Sequence, residues 1–182
     1  MLLSIVVPVY NEEENIANFY KAVTDVMSGL TYDYELIFVD DGSSDSSAMI
    51  LREIAFNDKH VKVLLLARNF GHQTALTCGL DYAHGDAVIT MDGDMQHPPA
   101  LIPELVRLWE SGYDVVRTIR DSTDDASWAK SFTSKYYYKL MNKMADVPIV
   151  EGGSDFRLMN SKALGTLKRF NMVDFYVVLS AP

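Results

Sequence analysis

Cysteine is nearly absent from this chain: Cys78 is the only one among 182 residues. That excludes an internal disulfide and a cysteine-based zinc cluster. It suits a reducing cytoplasmic compartment, and Cys78 itself reads as a small apolar residue packed in a helix. Positive charge is also scarce. Sixteen Lys and Arg face 25 Asp and Glu, a formal net charge of -9. A nucleic-acid binder needs a basic face to displace counterions, so this class is disfavoured. A nucleotide held through a metal ion remains compatible, because the cation supplies the local positive charge. No stretch approaches the roughly 20 apolar residues of a membrane span. The N-terminus, Met1 to Pro8, is apolar but lacks a basic flank and runs into Asn11-Glu12-Glu13-Glu14, so it reads as a buried strand rather than a signal peptide. No Gly-x-Gly-x-x-Gly follows that strand, which argues against a dinucleotide-dependent oxidoreductase. There is no internal repeat and no low-complexity segment.

What is present is a regular alternation of strands and helices, and 48% hydrophobic residues are enough for one sizeable core. Leu2 to Val9 is a strand. Asn11 is placed to cap the next helix, with Glu12, Glu13 and Glu14 in its first turn and Ile16, Phe19, Tyr20, Val23 and Met27 at helical spacing before Gly29 closes it. Tyr34 to Val39 is a second strand, followed by a polar turn, Asp40 to Asp45, and a helix from about Ser46 to Phe56. Val61 to Leu66 is a third strand, and Arg68 to Gln73 leads into a helix through about Tyr82. Ala87 to Met91 is a fourth. Pro98-Pro99 starts a helix carrying Leu101, Leu105, Leu108 and Trp109, and Val115-Val116 belong to a fifth strand. Nearly continuous apolar strands alternating with helices predict an α/β fold, with a mostly parallel sheet and helices on both faces. Ligands bind such sheets outside the carboxyl ends of the strands. Tyr10 to Glu12, Asp40 to Asp45 and Asp92 to Gln96 all fall at that edge.

The most informative of these turns is Thr90-Met91-Asp92-Gly93-Asp94-Met95-Gln96-His97. Carboxylates two residues apart in extended chain point the same way, so Asp92 and Asp94 can face one cation together. Gly93 between them adds no bulk and lets a diphosphate approach the backbone. Gln96 repeats the spacing with a third oxygen. Hard oxygen donors suit Mg²⁺ or Mn²⁺, whose shells are completed by substrate phosphates and water. A plain polar turn could use the same residues. His72 and His97 lie near the same edge, but zinc would lack ligand partners there, and each reads as making local hydrogen bonds.

Taken together, Ser4 to Glu12, Val39 to Asp45 and Met91 to Asp94 resemble the family 2 glycosyltransferases. That resemblance implies a GT-A (Rossmann-like) fold and inverting transfer of a hexose from a nucleoside-diphosphate sugar. Ala67 to Gln73, Met91 to Pro99 and Gly153 to Met159 look like its polyprenyl-phosphate glycosyltransferase branch, relatives of dolichyl-phosphate mannose synthase and the bactoprenol glucosyltransferases. The likeness runs to about Phe170, with Gly93 where the branch commonly has alanine. It implies that Pro8, Tyr10 and Glu12 line the nucleoside pocket, with Asp40 and Asp41 bonding base or ribose and Arg68 steadying the nucleotide. Asp92, Gly93 and Asp94 would meet the diphosphate, with Asp92, Asp94 and Gln96 on the metal. Asp155 would be the catalytic or orienting carboxylate, and Arg120 and Arg157 would hold acceptor phosphate. The acceptor implied is polyprenyl phosphate, or a saccharide or other hydroxyl acceptor; a non-catalytic nucleotide-sugar-binding module is the alternative.

The chain is expected to form one catalytic domain, with a nucleotide-sugar half over 1–118 and an acceptor half over 119–182. Arg120 to Ser127 reads as a polar loop. Trp128 to Ala145 reads as an amphipathic helix, with Phe132, Tyr136, Leu140 and Met144 beside Lys135, Lys139 and Lys143. It fits either a membrane surface or a packed helix with a solvated edge. Enzymes of the bactoprenol type continue into transmembrane helices. This chain is therefore either a catalytic domain truncated before its anchor, placed at the cytoplasmic face of the membrane, or a soluble variant. Self-association is left open.

Overall fold

A computed structural model describes residues 1–119, 153–170 and 178–180. The chain divides into two compact units, 1–116 with 155–182, and 117–154. Residues 155–182 thus share a unit with 1–116, so the segment expected to form an acceptor half is split between the two. The expected loop at 120–127 and helix at 128–145 lie outside the described residues. Of the second unit only short strand ends are described, 117–119 and 153–154.

In chain order the elements are β1 (Leu2–Val9), α1 (Ile16–Ser28), β2 (Asp33–Asp40), α2 (Ser47–Asn57), β3 (Val61–Leu66), α3 (His72–Tyr82) and β4 (Ala87–Thr90). A 3₁₀ turn (Pro99–Leu101), α4 (Ile102–Glu110), β5 (Val115–Ile119), β6 (Gly153–Asn160), α5 (Ser161–Phe170) and β7 (Val178–Ser180) follow. They form a seven-stranded sheet in the order β5-β6-β4-β1-β2-β3-β7. β1 pairs in parallel with β2 and β4, and β2 with β3. β6 and β7 run antiparallel to β4 and β3. The mostly parallel α/β sheet is as expected; β6 and β7 add antiparallel strands that the sequence reading did not assign.

The strands are apolar throughout because both faces are covered. Leu3, Ile5, Val7, Leu36, Phe38 and Ile89 point into one core, with Ile16, Phe19 and Val23 of α1 and Leu105 of α4. Val6, Ile37, Val39, Leu64 and Val88 point into the other, with Ala75, Leu76 and Cys78 of α3 and Leu164 of α5. Each such side chain contributes about 1.5–3 kcal/mol by leaving water. Gly79 lets α3 sit close on the sheet: a Cβ there would lie 2.4 Å from Val6 Cγ1 and 2.9 Å from Val39 Cγ2. At the amino ends of the strands, buried Glu35 accepts from Ser4 Oγ at 2.5 Å, Lys62 Nζ at 2.5 Å and the His84 amide at 2.8 Å. Burial would raise its carboxyl, but the bonds from Lys62, Ser4 and His84 win and hold it below the ordinary glutamate value.

One cap differs from expectation. α1 begins at Ile16, with Asn15 at its N-cap position. Asn11 instead takes a left-handed φ of 55°, which its short polar side chain tolerates. α5 is capped by Asn160, whose Oδ1 accepts from the Ala163 amide at 2.8 Å.

Candidate active site

A cleft of about 370 Å³ opens at the carboxyl ends of the central strands. Pro8, Tyr10 and Glu12 after β1, Asp41 after β2, and Asp92, Gly93 and Asp94 after β4 all line it. Asn69, Gly71, His72 and Ala75, from the entry to α3, complete the wall. All lie in the first unit.

β6 delivers the remaining carboxylate. Its antiparallel register pairs Thr90 with Arg157. Asp155 lies two residues before Arg157 on β6, and Asp92 two residues after Thr90. The Thr90 hydroxyl donates to the Asp155 carbonyl at 2.5 Å and fixes the strand end. Asp155 and Arg157 point to one face while Phe156 and Leu158 enter the core on the other. An Arg157 guanidinium nitrogen lies 3.4 Å from Asp155 Oδ1, and Arg157 Nε is buried without a hydrogen-bond partner.

His72 joins the two carboxylates. Its Nε2 lies 3.6 Å from Asp92 Oδ1 and 3.4 Å from Asp155 Oδ2. His97 Nδ1 lies 3.8 Å from Asp92 Oδ2, with its ring 5.7 Å from that of Phe156. The sequence reading of local bonding therefore misses His72, which reaches across to two other elements. Burial pushes the Asp92 carboxyl above its ordinary value; Asp94 and Asp155 push the same way, against the opposing pull of His72 and His97.

Asp41 is anchored more firmly than a ligand-binding side chain requires. It is 3% exposed. Its two oxygens accept from the Phe70 amide at 2.7 Å and the Gly71 amide at 2.9 Å, which staples the entry of α3 to the end of β2. Gly42, at φ 69°, presses on the same segment, where a Cβ would lie 2.4 Å from the Arg68 carbonyl carbon. Asp40 is buried beside it and does not line the cleft. Burial raises its carboxyl, Asp45 and Asp41 add to this, and hydrogen bonds from Ser43 oppose it. Arg68 also stays outside the cleft wall, its guanidinium 4.6 Å above the Phe70 ring. Gln96 is exposed, and its amide donates to Asp94 Oδ1 at 2.9 Å. Arg120 lies outside the described residues.

The donor set suits a hard divalent cation. Asp92 and Asp94 both line the cleft, and Asp155 lies within reach of the same His72 nitrogen as Asp92. Among the described residues no group of three or more His, Cys, Asp or Glu could hold a metal ion by itself. An ion held by Asp92 and Asp94 would need substrate phosphates and water to complete its shell.

A mostly parallel sheet carrying an acidic cleft at its carboxyl edge is the GT-A class of fold. The chain belongs to glycosyl transferase family 2, whose model matches residues 4–167. It is 45% identical to an uncharacterized glycosyltransferase of Bacillus subtilis, YkcC, over 91% of this chain and 51% of that protein. It is 41% identical to the bactoprenol glucosyl transferase of Shigella phage SfV, over 92% of this chain and 55% of that protein. The chain therefore spans about half the length of these curated relatives. Its fold is also that of a mannosyltransferase from Pyrobaculum calidifontis, solved with GDP-Man and Mn²⁺. That match has a TM-score of 0.61 at 20% identity, and covers 91% of this chain and 46% of the other. Among the described residues no helix is long and apolar enough to cross a membrane.

Proposed function

We propose that this domain transfers a hexose from a nucleoside-diphosphate sugar to polyprenyl phosphate, with inversion and with Mg²⁺ or Mn²⁺. The observation that carries this reading is that Asp92 and Asp94 line one cleft with His72, whose Nε2 also lies 3.4 Å from Asp155. Pro8, Tyr10, Glu12 and Asp41 form the part of the wall suited to the nucleoside, and the half-exposed Tyr10 ring can pack on base or ribose. Asp92 and Asp94 would hold the cation, with Gln96 beside them on the outer side of the turn. When bound, the cation supplies charge neutralisation for the departing nucleoside diphosphate.

A phosphate acceptor is already anionic near neutral pH, so Asp155 need not be a strong base. Its place between His72 and Arg157 suits orientation of the incoming group. Arg157 is the described arginine that would grip an acceptor phosphate. The names of the bactoprenol relatives support a polyprenyl lipid acceptor. The test is transfer of labelled glucose from UDP-glucose, or mannose from GDP-mannose, into an organic-extractable product with undecaprenyl phosphate and Mn²⁺. Transfer that disappears on chelation is expected. Nucleotide binding without turnover of any donor would favour the binding module instead, and transfer to a sugar hydroxyl that is lost in Asp155→Asn would favour a hydroxyl acceptor.

A further inference from the structure

The His72 imidazole sits in the cleft without a committed partner. Its two nearest acceptors lie at 3.6 Å and 3.4 Å, beyond the usual length of a formed N–H···O bond. One ring nitrogen has one direction to offer, and it points between two carboxylates rather than at either. The ring is 43% exposed, so no packing prevents a third acceptor from taking that nitrogen. Its backbone, by contrast, is fixed. His72 opens α3, the preceding amides of Phe70 and Gly71 are held by Asp41, and Gly71 makes the turn at φ 98°. The structure thus presents a fixed Cα and a free donor beside Asp92.

We infer that His72 is a substrate-binding residue for the donor diphosphate, giving its Nε2–H to a phosphoryl oxygen in place of the two carboxylates that share that nitrogen in the ligand-free chain. This rests on the reading of the cleft as a nucleotide-sugar site. The group that Asp92 would engage through the cation is the diphosphate, which brings phosphoryl oxygens within reach of a nitrogen 3.6 Å from Asp92. A phosphoryl oxygen carries more charge than a sugar hydroxyl and competes better for a donor shared loosely between two carboxylates. His72 then contributes at the nucleotide end of the reaction, whichever acceptor is used.

Calorimetry of the 182-residue chain with UDP and GDP in Mn²⁺, with uridine and guanosine, and with Mn²⁺ alone tests this. H72A should weaken the bound diphosphate about tenfold to a hundredfold, as expected for loss of one hydrogen bond to a charged acceptor. Nucleoside and Mn²⁺ affinities should stay unchanged, and H72Q, which keeps an N–H donor, should recover most of the loss. Equal diphosphate binding by H72A and the parent overturns the inference. So does an equal loss for nucleoside, for Mn²⁺ alone, or for H72Q. If the parent binds neither diphosphate, the nucleotide-sugar reading itself fails, and the role of His72 falls with it; a parent that binds while H72A is unaffected sinks only the latter. Since His72 is exposed, the melting temperature of H72A should match the parent within a degree or two, and a large drop would assign the residue a structural role.

Discussion

Replacing Asp92 by asparagine is expected to move stability and ligand binding in opposite directions. Asp92 is half-buried, and burial, Asp94 and Asp155 together outweigh His72 and His97 in disfavouring its charge. The contacts of 3.6 and 3.4 Å through His72 Nε2 bound the Asp92–Asp155 oxygen separation, by their sum, at about 7 Å. Two unit charges at that distance repel by about 0.6 kcal/mol in a water-like medium and about 2.4 kcal/mol at an effective dielectric of about 20. The histidines offset part of this. Asp92→Asn keeps the shape and removes the repulsion, so the metal-free chain should gain up to about 2 kcal/mol. For a chain of this size each kcal/mol moves the melting temperature by about 2–4 °C. Differential scanning fluorimetry without metal should therefore show Asp92→Asn melting about 1–8 °C above the parent. With Mn²⁺ and the bound nucleoside diphosphate at about a hundredfold above its Kd, the parent should gain about 2.7 kcal/mol by mass action. The variant should gain almost none. A metal-free variant that melts below the parent would refute the electrostatic account of the cleft. A variant that keeps the full ligand-induced shift would refute the assignment of Asp92 to the cation.

Glu35 has its carboxyl held below the ordinary value, so it stabilises the fold above about pH 4.3, and that contribution disappears as pH falls through the depressed value. Melting temperature should fall more steeply between about pH 5 and about pH 3 in the parent than in Glu35→Gln; parallel slopes would contradict this. Asp41→Asn replaces one of two acceptors by a donor facing an amide, and should cost about 1–3 kcal/mol in urea denaturation while also weakening nucleoside-diphosphate binding. Gly85→Ala would place a Cβ 2.6 Å from the Ser4 amide nitrogen and 2.7 Å from the Ala87 carbonyl oxygen. Because both are backbone in paired strands, it should lower the urea midpoint more than Gly165→Ala, where a Cβ meets open space.

The central sheet was legible because its strands are buried on both faces and their apolar runs are continuous. β3, expected at Val61 to Leu66, has those bounds. β6 escaped because only one of its faces is apolar near the site: Phe156 and Leu158 alternate with Asp155 and Arg157. Read as a motif, that segment hid its own period of two, which was the available signal. Asp92 and Asp94 were visible as a pair because their spacing is local. Their relation to Asp155 depends on the β4–β6 register, set by pairs such as Thr90 with Arg157 that are far apart in the chain, and no local pattern encodes it. His72 was undervalued for the same reason. A histidine opening a helix carries no sign of which strand ends it will face. Asn11 misled in another way, since the residue type that caps helices also tolerates the left-handed turn it adopts here.

The loop after β2 shows what the two consecutive aspartates do in the fold itself. Ser43 Oγ accepts from the Asn11 amide, and Asn11 Oδ1 accepts from the Ser44 amide. Ser47 Oγ accepts from the Glu12 amide, and Glu13 Oε2 from the Ser46 amide. Those bonds tie the loop to the end of β1, while Asp41 ties it to the entry of α3 on the other side. Residues 40–47 are thus the keystone between two walls of the cleft, and most of their polar atoms are spent on neighbouring backbone. A site fixed in this way meets its ligand with little left to order, which lowers the entropic cost of binding. It follows that substitutions in this loop should not separate stability from affinity, since the bonds that hold the loop also place Tyr10, Glu12 and His72. Substitutions at Asp92 or Asp94, which no such network employs as a keystone, should separate them.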